Sequence, residues 1–150
     1  MSEKIYKTVI DTNVFIKAWF FNDSECQEIL DLVKNRKIYL AFSQDSIGEL
    51  MYVTKNFARQ YLSSDKKKQI ALIEGVAKLF LYGSSVNTVG MEDIPEVKDK
   101  TDLMFVHCAI GYKDSDFLIS NDFKSGMFDV DSTYSFRVIS SSEFLEFLNE

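Results

Sequence analysis

The sequence predicts an α/β fold in which a mainly parallel sheet is flanked by helices on both faces. Short apolar runs typical of strands alternate with segments of helical spacing almost throughout the chain, and this alternation is typical of parallel sheets. We expect about five strands. The 150 residues fit one domain, and no repeat, low-complexity tract or linker interrupts them, so we expect a single domain over residues 1–150.

Each element follows from a local pattern of side chains. Strands are predicted where β-branched and aromatic residues form short runs, as in Val9-Ile10 and Phe117-Leu118-Ile119. Helices are predicted where apolar residues recur at three- and four-residue steps after a capping residue, as after Ser43. In chain order the patterns predict a strand at 5–10, an apolar segment at 14–21, a helix at 25–34, a strand at 37–42, helices at 44–58 and 63–82, a strand at 86–89, a loop at 92–100, a helix at 102–112 capped by Thr101, strands at 116–120 and 136–139, and a C-terminal helix opened by Ser140.

The composition is that of an ordinary globular protein, with 46% apolar and 27% charged residues. Cys26 and Cys108 have no paired spacing, which favours two buried thiols in a reducing compartment. The N-terminus lacks the pattern of a signal peptide, and no apolar run approaches the ~20 residues of a membrane span. We therefore expect a cytoplasmic protein with no membrane partner.

The formal net charge of −6 is unusual for a protein that contacts nucleic acid, because phosphate contacts normally need a Lys/Arg surface. Two interpretations are open. The acidic residues are concentrated in a metal site, where bound cations invert the local charge, or the substrate is not a nucleic acid.

Four carboxylates are predicted to lie near one edge of the sheet. Asp11 and Asp122 each follow a predicted strand, Asp102 begins a helix, and Glu49 lies early in the helix after the second strand. Ligands of open parallel sheets bind at the carboxyl ends of the strands. An all-oxygen set without His or Cys suits Mg²⁺ or Mn²⁺. Taken singly, each acid has an ordinary structural interpretation as a helix cap or a solvated residue.

Four segments resemble the motifs of PIN domains. They are Val9-Ile10-Asp11-Thr12-Asn13-Val14, Ser43-Gln44-Asp45-Ser46-Ile47-Gly48-Glu49-Leu50, Asp99-Lys100-Thr101-Asp102 with Phe105-Val106, and Asp116-Phe117-Leu118-Ile119-Ser120-Asn121-Asp122. The chain most resembles the subgroup of toxin components of toxin–antitoxin systems, related to VapC-type ribonucleases. The order of the motifs covers nearly the whole chain.

The resemblance implies a Rossmann-like, three-layer PIN fold and Mg²⁺- or Mn²⁺-dependent cleavage of single-stranded RNA. It also implies a homodimer and inhibition by a cognate antitoxin protein. By motif position, the catalytic residues and metal ligands are Asp11, Glu49, Asp102 and Asp122. Residues expected to support them are Asn13, Ser120 and Asp116. No substrate-binding residue is assigned.

The third motif departs from the subgroup, because Lys98, Thr101 and Leu103 stand where an Arg and further acids are usual. This departure and the negative charge motivate an alternative, a catalytically weak PIN-fold module that binds RNA or a protein partner. A metal-dependent phosphatase and a nuclease acting on DNA are further alternatives.

Overall fold

The computed structural model describes residues 4–92, 100–130 and 133–150. The strands are β1 Lys7–Ile10, β2 Tyr39–Ser43, β3 Gly83–Val86, β4 Phe117–Ile119 and β5 Arg137–Ile139. The α-helices are α1 Thr12–Phe20, α2 Ser24–Lys34, α3 Gln44–Tyr61, α4 Lys66–Leu79, α5 Leu103–Gly111 and α6 Ser141–Leu148. Short 3-10 helices are Phe80–Tyr82, Lys100–Asp102 and Met127–Asp129.

The five strands form one parallel sheet in the order β3-β2-β1-β4-β5. β1 lies at the centre, and the order reverses there, because the chain first builds outward to β3 and then returns to the other side of β1. The predicted α/β fold with a parallel sheet of five strands is confirmed. Ligand sites of such sheets lie where the strand order reverses, at the carboxyl ends of the strands.

Two apolar cores sandwich the sheet, and consecutive strand residues point into opposite ones. Ile10 packs in the larger core, while its neighbour Val9 packs in the smaller one. The larger core lies under α1, α2, α4, α6 and Leu50 of α3, whereas α5 is the α-helix that covers the smaller core. The period of two along β1 and the helices on both faces therefore produce the three predicted layers.

The predicted strand at 86–89 is wrong, since β3 occupies Gly83–Val86. Its Gly-Ser-Ser-Val sequence has little intrinsic strand preference, so hydrogen bonding to β2 decides where the strand lies. A Cβ atom at Gly83 would come within 3.0 Å of the Phe42 ring, which explains a glycine at this edge position.

Several helix boundaries also differ from the predictions. The apolar segment 14–21 is helical, as part of α1. The third helix extends to Tyr61, and Ser43 caps it in a reciprocal pair with Ser46. Thr101 was expected to cap α5, but the cap position is Asp102, because residues 100–102 form a 3-10 turn. Most of the predicted loop at 92–100 lies outside the described residues.

In the described part of the chain, no helix combines the length and the apolar character that crossing a bilayer requires.

Candidate active site

The carboxyl edge of the sheet carries Asp11 directly after β1 and Ser120 directly after β4. These two strands are neighbours, and the backbone N–H of Asp11 donates to the carbonyl of Ile119 at 2.9 Å. The pairing therefore fixes Asp11 against the end of β4 before any side chain is considered.

The carboxylate of Asp11 is buried, with only 2% of the residue exposed. The pKa of Asp11 is raised to about 6, chiefly by burial and to a smaller extent by the Glu49 and Asp122 carboxylates, while hydrogen bonding from Ser120 opposes the rise. The Ser120 hydroxyl donates to Asp11 Oδ2 at 2.7 Å. A buried carboxylate facing two other acids is electrostatically costly, and a bound cation would remove that cost.

Asp11 also occupies the N-cap position of α1, but its side chain makes no capping hydrogen bond there. The ordinary interpretation of this residue as a helix cap therefore does not account for its burial. The backbone N–H of Asn13 lies close enough to lower the pKa of Asp11. The side chain of Asn13 itself is exposed, so its influence on Asp11 comes from the backbone.

Glu49 reaches the same edge from the second turn of α3 and is half-buried. Its Oε2 accepts a hydrogen bond of 2.7 Å from the hydroxyl of Thr12, the first residue of α1. Thr12 is itself buried. Thr12 was expected only as a member of the first motif, because nothing in the local pattern connects it with a residue 37 positions away.

Asp122 lies two residues after Ser120, and the two are joined by a local hydrogen bond. The Asp122 N–H donates to the Ser120 hydroxyl oxygen at 3.1 Å, while Asp122 Oδ1 accepts from the Lys124 N–H at 3.1 Å. Ser120, which is fully buried, thus donates to the Asp11 carboxylate and accepts from the backbone of Asp122.

Asp102 is buried at the start of α5, with 8% of the residue exposed. Because α5 leads into β4, whose first residue is at the amino edge, the helix begins at the carboxyl edge where the other acids lie. The carboxylates of Glu49 and Asp122 lie close enough to Asp11 to raise its pKa. For Asp102, the order of the elements alone indicates this edge.

Asp116 does not belong to this group, so its predicted supporting role at the cluster is corrected. It precedes β4 and lies at the amino edge, where its carboxylate accepts from the Lys7 N–H at 2.9 Å and from Lys4 Nζ at 2.8 Å. A parallel strand carries its first and last residues to opposite edges, so Asp116 and Ser120 cannot serve one site. Asp99, in the third motif, lies outside the described residues.

The comparisons with known proteins agree with this geometry. The family model of the PIN domain matches residues 7–124. The chain belongs to the PIN-domain family. Its fold is similar to a chain in the crystal structure of VapBC2 from Rickettsia felis bound to a DNA fragment from their promoter, with a TM-score of 0.55 and 18% identity over 89% of this chain and 98% of that one. A comparison with curated proteins finds no match.

PIN domains use divalent metal ions, and the donors at this edge fit such an ion in their chemistry. Asp11, Glu49 and Asp122 offer only carboxylate oxygens, the donors that hard cations prefer. Across residues 4–92, 100–130 and 133–150, no three His, Cys, Asp or Glu side chains are grouped closely enough to hold an ion together. Mg²⁺ commonly keeps several waters and binds through one or two carboxylates, so this PIN domain fits an ion that is partly hydrated.

Proposed function

We propose that this PIN domain is a metal-dependent endoribonuclease that hydrolyses phosphodiester bonds of single-stranded RNA, and that it is the toxin of a toxin–antitoxin pair. The observation that carries the proposal is the buried Asp11 carboxylate, which Ser120 holds beside Glu49 and Asp122 at the carboxyl edge of the sheet. Such a set of carboxylates suits Mg²⁺ or Mn²⁺.

In this proposal the metal ligands are drawn from Asp11, Glu49, Asp102 and Asp122, of which one or two would bind a partly hydrated ion directly. A bound ion would supply Lewis-acid chemistry for hydrolysis of the phosphodiester and would lower the pKa of water. Ser120 fixes one oxygen of Asp11, and Thr12 fixes one oxygen of Glu49. Both hydroxyls donate to carboxylates, so they orient the acids and stabilise their charged forms.

The proposal is tested by incubating the purified protein with a mixed-sequence single-stranded RNA, and with the matching DNA, in Mn²⁺, Mg²⁺ or EDTA. We expect discrete RNA fragments with either metal and none in EDTA. Cleavage of the DNA in preference to the RNA would instead identify a nuclease acting on DNA.

The alternative is a PIN-fold module that binds RNA or a protein without cleaving. The absence of a close three-residue group among the described acids favours it. Calorimetric titration discriminates the two, because the enzyme must bind Mn²⁺ whereas the module need not. Lack of heat on Mn²⁺ addition, together with intact RNA, would establish the module.

We further propose an antitoxin protein as partner, a homodimer as the assembled form and the cytoplasm as location. The similarity to a chain of the VapBC2 structure supports a partner of this kind. Co-purification of the chain with the product of the adjacent reading frame tests the partner, and light scattering tests the dimer.

Thr12→Val is expected to reduce metal-dependent cleavage by about 10- to 100-fold, the usual effect of losing a hydrogen bond to a metal ligand. Valine keeps the shape of the side chain but removes the donor to Glu49. The measurement is the cleavage rate as a function of Mn²⁺ concentration, which should shift to higher metal.

The matched control is Thr54→Val, which makes the same change on α3. Thr54 is buried, and its Oγ1 has no hydrogen-bond partner within the described residues, so this variant should keep wild-type cleavage. Equal metal dependence of Thr12→Val and Thr54→Val would show that the Thr12 hydroxyl does not position Glu49.

A further inference from the structure

An exposed aromatic ring stands beside the carboxylate cluster. Phe123 follows Asp122 directly, and 64% of the residue is exposed. In the structure Phe123 lies in a turn, outside the strands and helices, and it belongs to neither apolar core. Its ring is therefore available to a molecule bound beside Asp122.

The ring is held in place from one side. The Phe123 and Phe128 centroids are 4.9 Å apart, and the two ring planes are inclined by 30°. This tilted ring contact holds Phe123 against Phe128, while most of the Phe123 residue stays exposed to solvent. An aromatic side chain has only two rotatable bonds, so one such contact goes far towards fixing it.

The turn that carries the ring is also internally bonded. The Ser125 hydroxyl donates to the carbonyl of Asp122 at 3.1 Å and accepts from the Met127 N–H at 3.1 Å. Gly126 adopts a φ of 89°, a conformation in which glycine is favoured. The turn thus connects Asp122 at the site with the 3-10 helix that contains Phe128, and fixes the ring relative to the acid.

We propose that Phe123 is a base-stacking platform, whose exposed ring receives one base of the single-stranded RNA next to the scissile phosphate. The inference rests on the proposed ribonuclease function and adds to it a substrate contact. A flat, preorganised aromatic face beside a phosphodiester-cleaving site matches a nucleobase, since every base has a π-face. The neighbouring Lys124 is exposed and adds a cation for the RNA backbone.

Phe21, a second exposed phenylalanine, has a different environment. Phe21 is 51% exposed, but it meets Phe57 at 87° and Tyr61 at 81° in an edge-to-face cluster. This cluster lies just beyond the C-terminal end of α1, whose N-terminal end bears the site, and nine helical residues span about 13 Å. Phe21 is therefore a control for exposed aromatic surface away from the acids.

The experiment begins by mapping the position at which the wild-type protein cuts a single-stranded RNA. Oligoribonucleotides with an abasic nucleotide at each position around that cut are then cleaved by wild type, Phe123→Ala, Phe123→Trp, Phe123→Leu and Phe21→Ala. KM and kcat are determined separately, and thermal unfolding checks that each variant is folded. Phe123→Leu keeps an apolar contact to Phe128 but has no flat ring.

We expect Phe123→Ala and Phe123→Leu to raise KM for the intact RNA by about 5- to 150-fold, with kcat changed much less, and Phe123→Trp and Phe21→Ala to resemble wild type. One abasic position should raise KM for wild type by a similar factor and abolish the difference between wild type and Phe123→Ala. That loss of difference is specific to stacking on a single base.

Two results would overturn the inference, and they are distinguishable. If wild type cleaves RNA but Phe123→Ala retains its KM, or is impaired equally with every abasic oligonucleotide, Phe123 does not stack on a base while the ribonuclease function stands. If wild type cleaves no RNA with Mg²⁺ or Mn²⁺, the ribonuclease function fails, and the inference fails with it.

Discussion

Asp11→Asn is expected to abolish metal-dependent RNA cleavage while making the metal-free protein more stable at pH 7. Asparagine has the shape of aspartate and can still accept from Ser120, so the packing around the buried side chain persists. It lacks the negative charge that binds a cation, and losing a metal-bound transition state costs at least about 100-fold in rate. It also removes a charge that burial and two neighbouring acids disfavour.

The measurements are the cleavage rate with Mn²⁺ and the melting temperature in EDTA. Asp116→Asn is the matched control, because Asp116 bonds to Lys4 and Lys7 at the opposite edge of the sheet. That control should keep wild-type cleavage. If Asp11→Asn cleaved RNA at the wild-type rate, the site would lie elsewhere.

The contribution of Asp11 to the stability of the metal-free protein is expected to fall as the pH rises from about 4 to about 6. The pKa of Asp11 is raised from 3.8 to about 6 on folding, so between these values the folded chain holds a proton that the unfolded chain has released. Raising the pH then favours the unfolded state. Each unit by which the pKa is raised corresponds to about 1.36 kcal/mol. The rise from 3.8 to about 6 therefore corresponds to about 3 kcal/mol of stability, which is lost once the pH exceeds 6.

Urea unfolding in EDTA at a series of pH values measures this loss. The difference between wild type and Asp11→Asn isolates it, because every other titrating group is common to the two proteins. We expect the two proteins to be closest in stability below pH 4 and to diverge up to pH 6, with Asp11→Asn the more stable. Mn²⁺ should raise the melting temperature of wild type at pH 7 more than that of Asp11→Asn. A constant difference across this range would mean that the Asp11 pKa is not raised on folding.

The parts of the site that could be predicted from the sequence are those fixed by chain position. Asp11 follows a β-branched run and Asp122 follows Phe117-Leu118-Ile119, so both were expected at the carboxyl edge, and the structure brings them together. Asp116 stands on the other side of the same run. Its motif suggested a role at the cluster, but the direction of β4 carries it to the opposite edge.

β3 shows the same division within the fold. Its residues, Gly83–Val86, have weak strand preference, and the strand was instead predicted at 86–89, where β-branched residues are more frequent. Pairing with β2 and the close approach of Phe42 decide the position of this edge strand. Strand propensity predicts a strand well only where the residues of the strand are themselves apolar, as Phe117-Leu118-Ile119 of β4 are.

The sequence by itself determined the alternation of strands and helices, and with it a parallel sheet whose carboxyl edge carries the acids. It did so because periodicity and position after a strand are local properties of the chain. Only the tertiary structure decided that Thr12 bonds to Glu49 and that Phe123 packs against Phe128 while it remains exposed. Those relations depend on how α1, α3 and the turn after β4 pack on one another, and no local pattern encodes the distance between side chains on different elements.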